Sequence, residues 1–153
     1  MLTFPPMDAG PRFFTVEEAN ALVTSLELEF GRVARVRAEL GPLIDSLGGA
    51  DAAVELLQED GEAPPGREAD TERLRALAGE ITAAVERVNE LGCLVKDIDQ
   101  GLVDFYALMD GEPVFLCWQF GEPAVSHWHG LEEGFAGRQP IEGVTVRPPP
   151  FMN

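Results

Sequence analysis

The chain has 153 residues, enough for one ordinary domain with a proper core and no need of disulfide or metal staples. Asp and Glu number 27 against 11 Lys and Arg, a formal charge of −16, so nucleic acid and anionic membrane surfaces are excluded as partners on charge grounds. The acidic excess reads first as a solvated outer face, and more sharply as affinity for cations or a basic partner. Cys93 and Cys117 both fall in apolar patterns, as buried free thiols rather than a disulfide framework. No run approaches 18 apolar residues, and Met1 to Gly10 lacks the basic and apolar stretches of a signal peptide. The expected compartment is the cytoplasm.

In chain order, Thr15-Val16-Glu17-Glu18 is a capping box, with Phe14 placed to staple against Ala19. Apolar residues then recur at helical spacing through Leu22, Leu26, Val33, Val36, Leu40, Leu43 and Leu47, with a kink or break expected at Gly41-Pro42. Gly48-Gly49 ends the pattern, and Asp51 to Gln58 reads as a short helix. Glu59 to Ala69 reads as a flexible acidic connector. A second long helix starts near Asp70 or Thr71 and runs through Leu74, Leu77, Ile81, Ala84, Val88, Leu91, Val95 and Ile98. Two long helices with matching seams predict an antiparallel, coiled-coil-like hairpin over residues 13–100, and the seam is long enough to make a homodimer.

At Gln100-Gly101 the period changes to two. Leu102 to Leu108, Val114 to Phe120 and Ala124 to His129 read as strands, separated by the hairpin signal Asp110-Gly111 and by Gly121-Glu122-Pro123. The expected architecture is α+β: the helical hairpin packed with a three-stranded antiparallel meander in a β module over 101–139, all in a single domain. A Pro-rich tail over 140–153 wraps the surface or hangs free.

Two-residue loops at both turns would put Asp104 opposite Cys117 and Cys117 opposite Ser126. Tyr106, Phe115 and Trp128 would share their face. Phe105, Leu116, Trp118, Val125, His127 and His129 would take the other, against the helices. His127 and His129 then project to one side with Cβ atoms about 7 Å apart, near enough to share a metal. Glu132 and Glu133 follow as oxygen ligands, and a divalent metal such as zinc is the cofactor that set would take. The simpler reading has His127 filling a strand position, His129 hydrogen-bonding locally and both Glu residues in water. In this register Cys117 points away from both histidines, which leaves a nucleophilic cysteine without a base. Asp104, set between Val103 and Phe105, needs a donor such as Arg138 or a backbone amide. Arg138, in the Gly-rich run Gly134 to Gln139, is an anion contact or the ion-pair partner of Asp104 or Glu122.

The runs Phe14-Thr15-Val16-Glu17-Glu18-Ala19-Asn20, Gly101-Leu102-Val103-Asp104-Phe105, Leu116-Cys117-Trp118, Gly121-Glu122, Trp128-His129 and Gly134-Phe135-Ala136-Gly137-Arg138-Gln139 resemble an uncharacterised bacterial family, domain of unknown function 2203. The resemblance runs from Phe13 to Ile141. It implies a bacterial cytoplasmic protein with no agreed activity. It also implies that Asp104, Cys117, His129, Glu132 and Arg138 stand on family motif positions, whereas His127 stands where an aromatic residue is usual. The expected site is therefore one histidine among carboxylates, with Asp104, Cys117, Glu122 and Arg138 as ligand-binding residues. Two functions follow as expectations: a non-enzymatic interaction or scaffold protein that dimerises through its helices, or a protein binding a small ligand or divalent metal, with hydrolytic chemistry within reach.

Overall fold

The computed structural model of the protein describes residues 12–142 and Val146. These form α1 (Val16–Asn20), α2 (Val23–Ser46), α3 (Ala50–Leu56), α4 (Glu68–Glu90), β1 (Leu94–Asp97), β2 (Leu102–Met109), β3 (Glu112–Gln119), β4 (His127–His129) and β5 (Gln139–Pro140). The fold is mixed, with four α-helices and one antiparallel sheet in the order β1-β2-β3-β4-β5. The chain divides into two compact units, Leu28–Arg87 and the described residues on either side of it.

In the Leu28–Arg87 unit Leu47, Ala53, Leu56 and Leu74 form a buried cluster, flanked by Leu40, Leu43 and Ile44. Arg87 bonds Glu29 with two nitrogens at 2.8 Å, and Arg73 bonds Glu39 at 2.7 Å, so the end of α4 lies beside the start of this stretch of α2 and the reverse. Arg75 donates to the carbonyls of Leu56 and Gly61, which ties the acidic connector to α4. The helix does not break at Gly41-Pro42. Pro42 has no N–H to give the Ala38 carbonyl, but both residues are exposed, so water can satisfy that carbonyl and α2 runs on to Ser46.

In the other unit the Thr15 capping box forms as expected: the Thr15 hydroxyl accepts from Glu18 N–H at 3.1 Å, and Thr15 N–H donates to the Glu18 carboxylate at 2.8 Å. The Phe14 ring is fully buried, edge-on to Phe105 with centroids 5.1 Å apart, and its N–H donates to the Tyr106 carbonyl. The helix begun there is short, because Ala21 and Leu22 form a turn before α2.

The sheet has five strands where three were expected. The helical pattern does not carry through Val95 and Ile98: α4 stops at Glu90, Gly92 takes φ +98°, and Arg12 Nη1 donates to the Leu91 carbonyl at 3.0 Å. A Cβ at Gly92 would meet the Arg12 side chain at 2.9 Å, so the chain turns there and Leu94–Asp97 becomes an edge strand on β2. At the opposite edge, Gln139 pairs with Trp128. Of the Pro-rich tail, Val146 bridges to Met109 and the residues beyond lie outside the described ones.

Candidate metal centre

The β2–β3 turn is the two-residue loop that Asp110-Gly111 calls for. Both residues have positive φ, 53° and 82°, the backbone that matches strand twist in a tight hairpin. This fixes Asp104 opposite Cys117, as expected. The next turn is different. Cys117 lies opposite His127, not Ser126, and Phe115 opposite His129. The loop is longer and is held at both ends: Glu122 accepts from Gln119 N–H at 2.7 Å and its carbonyl from the Trp118 indole, while Val125 N–H donates to the distant Asn20 at 2.7 Å. One residue of slip exchanges the faces of β4. His127 and His129 therefore share a face with Asp104, Tyr106, Phe115 and Cys117, while Trp128 turns to the face of Phe105, Leu116 and Trp118.

Three ligating groups now converge from three adjacent strands. One side-chain atom each from Asp104, Cys117 and His129 lies within 4.8 Å of the others, and all three residues are buried. His129 spans from β4 over β3 to reach Asp104, Nε2 to Oδ1 at 3.1 Å. Its other nitrogen, Nδ1, is 2.8 Å from the Gly130 carbonyl. A carbonyl only accepts, so Nδ1 carries a proton, and Nε2 is the nitrogen free to share a proton with Asp104 or to bind a cation. Burial pushes the Asp104 carboxyl above the usual carboxylate range, against the pull of His129 and Lys96. Burial, with the negative Asp104 beside it, raises the Cys117 thiol to about 11. Without a cation the site holds a protonated thiol and a proton between Asp104 and His129. Such a thiol is a poor nucleophile, although the register puts His129 on its face with a ligating atom within 4.8 Å.

The pair next to this cluster is Arg138 and Glu122. Arg138 bonds both Glu122 oxygens at 2.9 and 2.6 Å, stacks over Phe135 at 4.3 Å, and turns Nη1 toward Cys117 Sγ at 4.0 Å. Burial disfavours the Glu122 carboxylate, yet the Arg138 fork and the Gln119 amide together hold it below the usual range. Arg138 thus pairs with Glu122 and not with Asp104. His127 joins this pair rather than the cluster, with Nδ1 3.0 Å from the Ser126 hydroxyl and 4.0 Å from Glu122.

An open cavity of about 300 Å³ leads to Asp104, Cys117 and His129, bounded by Lys96, Phe115, Leu131 and Phe135. Glu132 and Glu133 stand exposed at its rim. Glu133 folds back to accept from Gly130 N–H at 3.1 Å. A family model matches residues 12–141, nearly the whole chain. The chain belongs to the family described as uncharacterized conserved protein (DUF2203). No curated protein and no solved structure matches it.

Of the residues expected as metal ligands, the structure brings His129 into the cluster and leaves His127, Glu132 and Glu133 outside it. Asp104 and Cys117, expected among the ligand-binding residues, supply the other two positions. The alternation of β4 carried this information, but only for a reader who knew the length of the loop before it. Lys96 was not anticipated on this wall at all, because its segment read as helix.

Proposed function

We propose that this DUF2203 chain is a divalent-metal protein, with zinc as its best match, held by Asp104, Cys117 and His129. The observation that carries the reading is the convergence of three different ligating side chains, all buried, within 4.8 Å of one another. Burying a carboxylate, a thiol and an imidazole together is costly, and a dication in their midst compensates all three at once. The donors fit zinc by type: a thiolate, an imidazole and a carboxylate are each common zinc ligands. The contact from Nδ1 to the Gly130 carbonyl is the outer support that fixes a ligating histidine in its tautomer. Three protein ligands leave a fourth position, and the cavity supplies access to it, the arrangement of catalytic rather than closed structural sites. Hydrolysis by a metal-bound water is the reaction class that such a site supports. Two free buried thiols suit a reducing interior, so we place the protein in the cytoplasm.

The interaction or scaffold reading, with a homodimer through the helices, is the weaker one. Leu74, Leu77, Ala84 and Val88, the heart of the predicted seam, are buried within one chain, which leaves less apolar surface for a second copy.

Protein purified without an affinity tag should carry about one zinc or similar ion per chain by elemental analysis. Chelation should lower its melting temperature, and zinc should restore it. Asp104→Asn and Cys117→Ser, near-isosteric, should keep the circular dichroism of the wild type and weaken the metal at least about tenfold. A wild-type chain that holds no metal after incubation with zinc, and melts at one temperature with zinc or chelator, overturns the reading.

A further inference from the structure

Between Val95 and Asp97 the pairing of β1 with β2 slips: Val95 faces Val103, Asp97 faces Leu102, and Lys96 is the extra residue. A bulge of this kind re-aims one side chain and recurs beside functional sites. Here it brings Lys96 to the cavity that holds Asp104, Cys117 and His129. Its Nζ lies 4.6 Å from the centre of the Phe115 ring, and that ring packs 5.5 Å from the His129 imidazole. Lys96 is exposed, and the cation–π contact sets its ammonium against the Phe115 ring at the cavity mouth.

Lys96 is the cationic side chain among the residues that line this cavity. Arg138, whose guanidinium lies beside Cys117, is committed to both oxygens of Glu122. Two carboxylates stand at the rim and must be weighed against Lys96. Glu133 is turned onto the backbone, bonded to Gly130 N–H, with its second oxygen only 2.8 Å from where a Cβ on Gly137 would sit. Glu132 is exposed to water at the mouth, as Lys96 is, but no contact among the described residues holds its carboxylate over the Phe115 ring, which packs on His129, as the cation–π contact holds Lys96. Inside, the charges balance: the Asp104 carboxylate and the Cys117 thiolate together cancel a bound dication. A ligand's negative charge arriving there would have Lys96 to meet it, and Leu102, Leu131 and Phe135 to pack a short apolar body. About 300 Å³ is at the lower end of small-molecule pockets.

We infer that the cavity takes a small oxyanion, the carboxylate or phosphate group of a compact substrate, with one oxygen at the metal's open position and its charge against Lys96. The inference rests on the metal reading above. It adds a substrate class and a residue for specificity that lies outside the ligand set.

Cobalt(II) serves as the probe metal, because its visible spectrum reports thiolate ligation and changes when an anion joins the ion. The full chain is loaded with cobalt and titrated separately with acetate and inorganic phosphate. Saturable spectral change is expected with at least one, and the tighter of the two names the group. Lys96→Met should keep the cobalt–thiolate band and weaken anion binding about tenfold or more, and Lys96→Arg should restore most of it. Equal anion affinity in Lys96→Met and wild type, or no spectral response to either anion in cobalt-loaded protein, overturns the inference. Absence of the cobalt–thiolate band from wild type, seen before any anion is added, overturns the metal reading instead.

Discussion

Cys117 lies in the middle of its sheet, opposite Asp104 on one side and His127 on the other, and burial with the nearby carboxylate raises its thiol to about 11. Burial raises Cys93 to about 11 as well, its thiol donating to the Val88 carbonyl at 3.3 Å. A thiol whose proton is held more tightly in the folded state than in the unfolded one stabilises the fold below its unfolded value. That share is lost as pH climbs from about 9 toward about 11. Each cysteine should therefore cost the metal-free protein on the order of 2–3 kcal/mol across that window. Urea melts at pH 8, 9.5 and 11 measure it, and Cys117→Ser should remove about half of the loss. An unchanged slope in Cys117→Ser would show that Cys117 is not the buried thiol described. At this scale the sequence was partly legible. A carboxylate between Val103 and Phe105 marked Asp104 as buried and in need of a partner, although that partner proved to be His129, not Arg138.

At the scale of elements, what was legible is what is encoded locally. The Thr15 capping box and the Asp110-Gly111 hairpin each depend on residues within four positions, and both formed as read. What failed depends on distant residues. Arg12 ends α4 from 79 positions away, and Asn20 anchors Val125 from 105 positions away, which sets the register of β4. Gly101, in the β1–β2 turn, shows how firmly the sheet constrains such a join. It has φ +69°, and a Cβ there would sit 2.5 Å from the Phe120 Cβ, an atom that cannot swing aside. Its carbonyl also accepts from Phe120 N–H at 2.9 Å, so the backbone cannot simply back away. Gly101→Ala combines left-handed strain with that clash and should destabilise the protein by roughly 2–4 kcal/mol. Because the shift falls three residues before Asp104, zinc affinity should fall with it. A chemical melt within about 0.5 kcal/mol of wild type would refute the close approach at this turn.

At the scale of the whole molecule, charge dominates. A chain at −16 with pI ≈ 4.3 repels itself at neutral pH, and the repulsion is strongest where few ions screen it. Salt acts in both directions. It relieves the net repulsion, but it also weakens solvent-accessible pairs such as the exposed Arg73 with Glu39 and the half-buried Arg67 with Asp70, each worth at most about 1 kcal/mol. The buried carboxylate of Glu29 is less affected, since Arg87 holds it below the usual range at close contact. With 27 acidic residues against 11 Lys and Arg, relief of repulsion should win. Going from 10 to 150 mM KCl shortens the screening length from about 30 Å to about 8 Å. The melting temperature of the metal-free protein should then rise by about 3 °C or more, with most of the gain below 150 mM. The same series repeated near pH 4.5, where the net charge is almost gone, should be flat. A melting temperature that falls with KCl at pH 7.5 would mean that specific ion pairs, not the net field, set the electrostatic stability of this fold.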